Sequence, residues 1–152
     1  MEKKHLLFIY HSQSGHTAQL IEKCKQGASK EEVEIRHLKA FDTTLEDVLW
    51  ADGIVIGTPE YFGTMCGALK DFFDRTYDDA KKSEINKPYA LIISAGNDGT
   101  GAEHQVQSLT TSYTMKRVLD TIIVKEAEFD AKLIDVEELG QTFAAGLTLG
   151  IF

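Results

Sequence analysis

Five short apolar runs, each followed by a stretch with helical spacing, leave this chain few ways to fold. Leu6-Leu7-Phe8-Ile9-Tyr10 is apolar at every position, the pattern of a strand buried on both faces. Behind a polar loop, Leu20, Ile21, Cys24 and Ala28 recur on one helical stripe, and Gly27 is expected to mark the helix end. Residues 33–38 alternate with period two and predict a strand with one exposed face. Leu45, Val48 and Leu49 predict a short helix, and residues 53–57 a third strand. Met65, Ala68, Leu69, Phe72, Phe73 and Tyr77 form the stripe of a strongly amphipathic helix. Residues 89–94 predict strand four, and Val106, Leu109 and Tyr113 the inward side of a long helix. Residues 121–124 predict strand five, and Val136, Leu139, Phe143 and Leu147 the last helix.

Strict alternation of strand and helix predicts an α/β fold, a parallel sheet covered on both faces. Right-handed crossovers prune the topologies, and for five strands the expected order is 2-1-3-4-5. Nothing in the chain reads as a linker or a repeat, so all 152 residues are expected to form a single domain.

The formal net charge of −8 argues against nucleic acid or an anionic membrane as a partner. Only five apolar residues follow the basic start, too few for a signal core or a membrane span. Cys24 and Cys66 form no metal-spaced cluster and read as free thiols of a reducing compartment, so a cytoplasmic location is expected and no metal site.

In a sheet of this order, ligands bind beyond the carboxyl ends of the strands where the order reverses. The loops after strands 1, 3 and 4 are therefore the ones to read. The first, Ser12-Gln13-Ser14-Gly15-His16-Thr17, brings three hydroxyls and a glycine to the start of a helix. Unpaired N–H groups and the helix dipole there favour an anion. Ser12, Ser14 and Thr17 can donate to phosphate oxygens, Gly15 permits close backbone approach, and His16 offers its N–H. A plain N-cap needs one such residue rather than three. No Walker lysine and no G-x-G-x-x-G fingerprint is present.

This loop resembles the T/S-x-T/S-G-x-T phosphate loop of flavodoxin-like proteins. The second loop, Gly57-Thr58-Pro59-Glu60-Tyr61-Phe62-Gly63-Thr64-Met65, resembles the G-T-P-x-x-F/Y-G-x-M segment of the NAD(P)H-dependent FMN reductases and of the flavodoxin-like NAD(P)H:quinone oxidoreductases. Residues 67–76 resemble the helix that follows in that group, and Ser94-Ala95-Gly96-Asn97-Asp98-Gly99 its glycine-rich third loop. The resemblance implies a flavodoxin-like doubly wound three-layer sandwich and flavin mononucleotide (FMN), phosphate on the first loop and isoalloxazine between the other two. Backbone groups of Pro59, Glu60, Tyr61, Phe62 and Gly63, and of Ser94, Ala95, Gly96, Asn97 and Gly99, would then surround the ring. Tyr61 and Phe62 offer it aromatic faces. The activity implied is electron transfer from NAD(P)H through FMN to a quinone or similar acceptor. The alternative is a flavodoxin-type carrier without its own NAD(P)H site. Residues 94–105 contain no aromatic to cover one flavin face, which favours the enzyme. No catalytic side chain is assigned. By analogy with relatives whose flavins are open, a homodimer or homotetramer would complete the site.

Overall fold

In the computed structural model, which describes residues 2–152, every apolar run is a strand or part of one. The order along the chain is β1 (Lys4–Tyr10), α1 (His16–Ala28), β2 (Val33–Lys39), α2 (Leu45–Trp50), β3 (Gly53–Tyr61), β4 (Thr64–Met65), α3 (Gly67–Ala80), β5 (Pro88–Ala95), α4 (Thr100–Ser112), β6 (Lys116–Arg117), β7 (Ile122–Lys125) and α5 (Phe129–Thr148). The parallel sheet runs β2-β1-β3-β5, with β6 and β7 both pairing the outer side of β5. This is the doubly wound order, and the reversal lies between β1 and β3.

Two differences from expectation lie in how strands pair. The fifth strand is split: Tyr89 faces Arg117 and Ile92 faces Ile122, so two residues of β5 are matched by four in residues 118–121. That is a two-residue bulge. Lys116 and Arg117, whose charge suits an exposed helix face, instead form the near half of this edge strand. A seventh strand, the two-residue β4, folds back antiparallel on β3, pairing Glu60 with Met65 and Tyr61 with Thr64.

Successive β residues point to opposite faces, and the two cores divide accordingly. Leu6, Phe8, Val55, Ala90 and Ile92 pack against Leu20, Ile21 and Cys24 of α1 and Val136, Leu139 and Phe143 of α5. Leu7, Ile9, Ile54, Ile56, Leu91 and Ile93 pack against α2, α3 and α4 through Val48, Leu69, Phe72, Phe73 and Val106. Each such fully buried side chain contributes roughly 1.5–3 kcal/mol, so both layers are anchored by the sheet rather than by each other.

On the first face, α1 and α5 touch through backbone. A Cβ on Gly27 would sit 1.9 Å from the Glu137 carbonyl oxygen, and one on Gly140 would sit 2.0 Å from that of Cys24. Gly27 lies inside α1, so its use is this close crossing and not the helix stop that its position suggests. Among the described residues no helix is long and apolar enough to cross a membrane.

Candidate functional site

At the carboxyl end of β1 the chain turns through residues 11–15 into α1. Gly15 takes φ +103°, a left-handed conformation that admits glycine readily. This turn lets the Ser12 hydroxyl face back onto the helix start. Ser12 Oγ accepts the Gly15 N–H at 3.2 Å and the Ala18 N–H at 3.1 Å. The amides of His16 and Thr17 are left without an acceptor among the described residues. With both lone pairs of Ser12 in use, its O–H can donate outward. Ser14 Oγ lies 3.3 Å from His16 Nδ1, and Thr17, 2% exposed, sits at the base of the mouth. The His16 ring packs between Ser14 of the loop and Phe129, its centroid 5.2 Å from that of Phe129, and its backbone N–H stays open. The first turn of α1 holds no acidic residue. Open amides, three hydroxyls and no opposing charge form a donor set that suits a phosphate dianion.

Beside this mouth lies a cleft of about 570 Å³ lined by Tyr10, His11, residues 12–15, Ala18, Lys39 and Phe41. Burial, reinforced by Lys39, holds the His11 imidazole below its ordinary pKa, so it stays neutral at neutral pH. A cleft of similar size lies among Leu119, Glu138, Gln141, Thr142, Ala145, Leu149, Ile151 and Phe152, but it is mostly apolar and the one charge on its walls, Glu138, opposes an anion.

The second loop is mostly strand. β3 keeps pairing with β5 as far as Pro59, opposite Ser94, and then forms a hairpin with β4. Phe62 (φ +54°) and Gly63 (φ +74°) occupy the two central turn positions, both left-handed, as a type I′ turn demands. Phe62 is fully exposed at the tip, while Tyr61 is half-buried against the core. Burial, with the nearby Cys66, raises the Tyr61 phenol above its ordinary pKa and keeps it neutral. The base of the loop is closed by Thr58, whose hydroxyl donates to the Pro59 carbonyl at 2.8 Å and accepts the Cys66 N–H at 3.2 Å.

The third loop ends in a second left-handed glycine, Gly99, at φ +102°, which caps α4. Gly96, Asn97 and Asp98 form an exposed bend, Ala95 is buried at the strand end, and Ser94 is partly covered. Gly99 is buried, its Cα packed on Ile123, and its N–H donates to Glu60 Oε1 at 2.9 Å. Glu60 Oε2 accepts the Ala102 N–H at 3.0 Å. Asp98 Oδ1 accepts the Thr100 hydroxyl at 2.9 Å.

Pro59 to Gly63 and Ser94 to Gly99 thus form two neighbouring walls at the reversal point, and residues 12–17 a floor beside them. One of the expected groups already has a partner: the Gly99 amide donates to the Glu60 carboxylate. A family model described as NADPH-dependent FMN reductase matches residues 24–130, which include both walls.

The chain belongs to that family. Among curated relatives of this family member, a flavodoxin from Aquifex aeolicus is 35% identical over 70% of this chain and 58% of its own length. The quinone-oxidoreductase QR2 of Triphysaria versicolor is 28% identical over 93% of this chain and 80% of its own. The chain therefore spans little more than half the length of the first of these relatives. An archaeal flavodoxin structure superposes with a TM-score of 0.80 over 95% of this chain and 99% of its own, at 21% identity, which speaks for the fold.

Four contributors to the candidate site were not apparent in the sequence. Lys39 and Phe41 border the cleft beside residues 12–15 because β2 runs parallel to β1 and ends beside it, a placement that the strand order implies. Thr58 sits within the recognised segment, but nothing in that segment marks it as a closure of the loop. Gln105, one turn beyond Gly101 on α4, accepts the Met65 N–H at 2.8 Å and carries no local signal at all.

Proposed function

We propose that this flavin-dependent oxidoreductase holds FMN with its phosphate on residues 12–17, oxidises NAD(P)H and reduces a quinone or a similar small acceptor. When bound, FMN supplies a ring system able to accept a hydride and return electrons singly or in pairs. The chain's part is to bind, orient and shield. The hydroxyls of Ser12, Ser14 and Thr17 and the free amides of His16 and Thr17 receive the phosphate. Tyr61 offers an aromatic face held in place by the core, and the backbone of residues 59–63 and 94–97 offers donors and acceptors to the ring edge. Gly63 and Gly96 have no atom within 4 Å of where a Cβ would stand, so both walls leave room for a ligand.

The observation that carries the enzyme reading is the exposed Gly96-Asn97-Asp98 bend, with no aromatic between Ser94 and Gln105. A flat ring on that side stays open, and stacking space for a nicotinamide is what hydride transfer needs. Similarity to the Aquifex flavodoxin supports the second reading, a carrier that other proteins reduce.

The two readings separate on rapid mixing. The FMN-loaded protein should bleach within seconds with NADH or NADPH, and turnover with benzoquinone should give parallel double-reciprocal lines. Asn97→Tyr should slow bleaching at least about tenfold while FMN stays bound, because the new ring stacks where the donor must. Absence of bleaching by both nucleotides, with ready reduction by a flavodoxin reductase, would establish the carrier instead.

A further inference from the structure

Three ties bind the β3–β4 hairpin to α4. The Glu60 carboxylate bridges the amides of Gly99 and Ala102. Gln105 takes the Met65 N–H. Gly101 lies so close beneath the hairpin that a Cβ there would be 2.1 Å from the Gly63 carbonyl oxygen. Of the three, only the Glu60 tie spans the gap between the two walls of the site, from the last residues of β3 to the turn after β5. Its carboxylate also sits where the unpaired amides of α4 would otherwise attract an outside anion.

We infer that Glu60 is a positioning residue: it fixes the width of the slot between residues 59–63 and 96–99 and so orients the isoalloxazine, without touching the phosphate. This rests on the FMN reading above. The hairpin needs such a clamp. Its turn carries Phe62 in a left-handed conformation that suits asparagine or glycine better, so the turn does not hold itself rigidly. The charge-assisted hydrogen bond from the Gly99 amide joins the two walls directly and sets their separation more firmly than side-chain packing would, while the one from Ala102 anchors the same carboxylate to the first turn of α4.

The test compares FMN with riboflavin on the wild type, Glu60→Ala and Glu60→Gln. In Glu60→Ala both flavins should bind about tenfold more weakly, by the same factor, because the ring slot is loosened and the phosphate mouth is not. The visible band of bound FMN should move toward that of free flavin. Amide exchange in the flavin-free variant should accelerate at Gly99 and Ala102 and stay unchanged in the core strands. Glu60→Gln keeps one acceptor and should lie closer to the wild type on all these measures. It also serves should the alanine variant not fold. Loss of FMN affinity with riboflavin affinity intact would overturn the inference, and so would unchanged affinity for both. A wild-type chain that binds neither flavin would overturn the FMN reading, a result visible before any variant is compared.

Discussion

The starts of α1 and α4 share one backbone geometry and oppose each other in charge. Gly15 and Gly99 cap the two helices at (φ, ψ) of (103°, −13°) and (102°, −15°), each at the end of a buried parallel strand. At α1 the cap acceptor is the neutral Ser12 hydroxyl, and amides remain open. At α4 the acceptor is the Glu60 carboxylate, Asp98 binds Thr100, and Glu103 lies in the first turn, paired with Arg117 at 3.1 Å. Both helices carry the same positive end. One is left open for an incoming anion, and the other is neutralised from within and spent on holding two loops together. Helix geometry alone does not make an anion site; the charge of the capping group decides.

The strongest way to break this contrast is to make α1 like α4. Ser12→Asp would place a carboxylate where the phosphate is proposed to bind. Repulsion between it and the dianion should weaken FMN binding about a thousandfold, roughly 4 kcal/mol, and riboflavin binding far less. The flavin-free protein should melt no lower than the wild type, since a carboxylate is a good cap at a helix start. FMN affinity that survives this change would mean that the phosphate sits elsewhere.

A smaller effect separates the two glycines. A side chain at either position pays about 1 kcal/mol for the left-handed backbone. At Gly15 the nearest atom to a Cβ would be Gln19 Nε2 at 3.8 Å, whereas at Gly99 it would be Ile123 Cγ2 at 2.5 Å. Gly99→Ala should therefore cost about 2–4 kcal/mol by urea denaturation, and Gly15→Ala about 1 kcal/mol. Equal costs would show that packing against the fifth strand does not distinguish the two starts.

The smallest effect is in pH. His11, beside the α1 mouth, has a depressed pKa in the folded chain through burial and Lys39. Between that depressed value and the ordinary 6.5, the unfolded chain binds a proton that the folded chain resists. Stability of the flavin-free protein should thus be greatest above pH 6.5 and fall as pH drops through that window, and His11→Asn should flatten part of the slope in melting temperature.

The alternation of buried strands and amphipathic helices was legible because each element's burial is written in its own residues. The hydroxyl-rich turn proposed to take the phosphate is a contiguous run, residues 12–17, in which the Ser12 hydroxyl bonds to neighbouring backbone and the Ser14 hydroxyl to the His16 ring. What stayed hidden depends on distant partners. Pro59 and Glu60 read as loop, yet β3 runs on past them because β5 pairs Pro59 with Ser94 and β4 pairs Glu60 and Tyr61. The Glu60 bonds reach 39 and 42 residues along the chain, and no local pattern announces them. Residues 116–117 are charged because they lie on an edge, and the bulge that separates them from β7 follows from tertiary register.

The crossing of α1 and α5 at Gly27 and Gly140 has a consequence for how the protein is made. Residues 12–17, the proposed phosphate mouth, are made well before α5, but the helix that carries them is seated against residues that emerge more than a hundred positions later. A nascent chain that stops before α5 has every residue of the mouth and an α1 whose apolar stripe lacks the cover of Val136, Leu139 and Phe143. Cofactor uptake should therefore wait for α5, and stalled chains ending before residue 129 should retain no flavin.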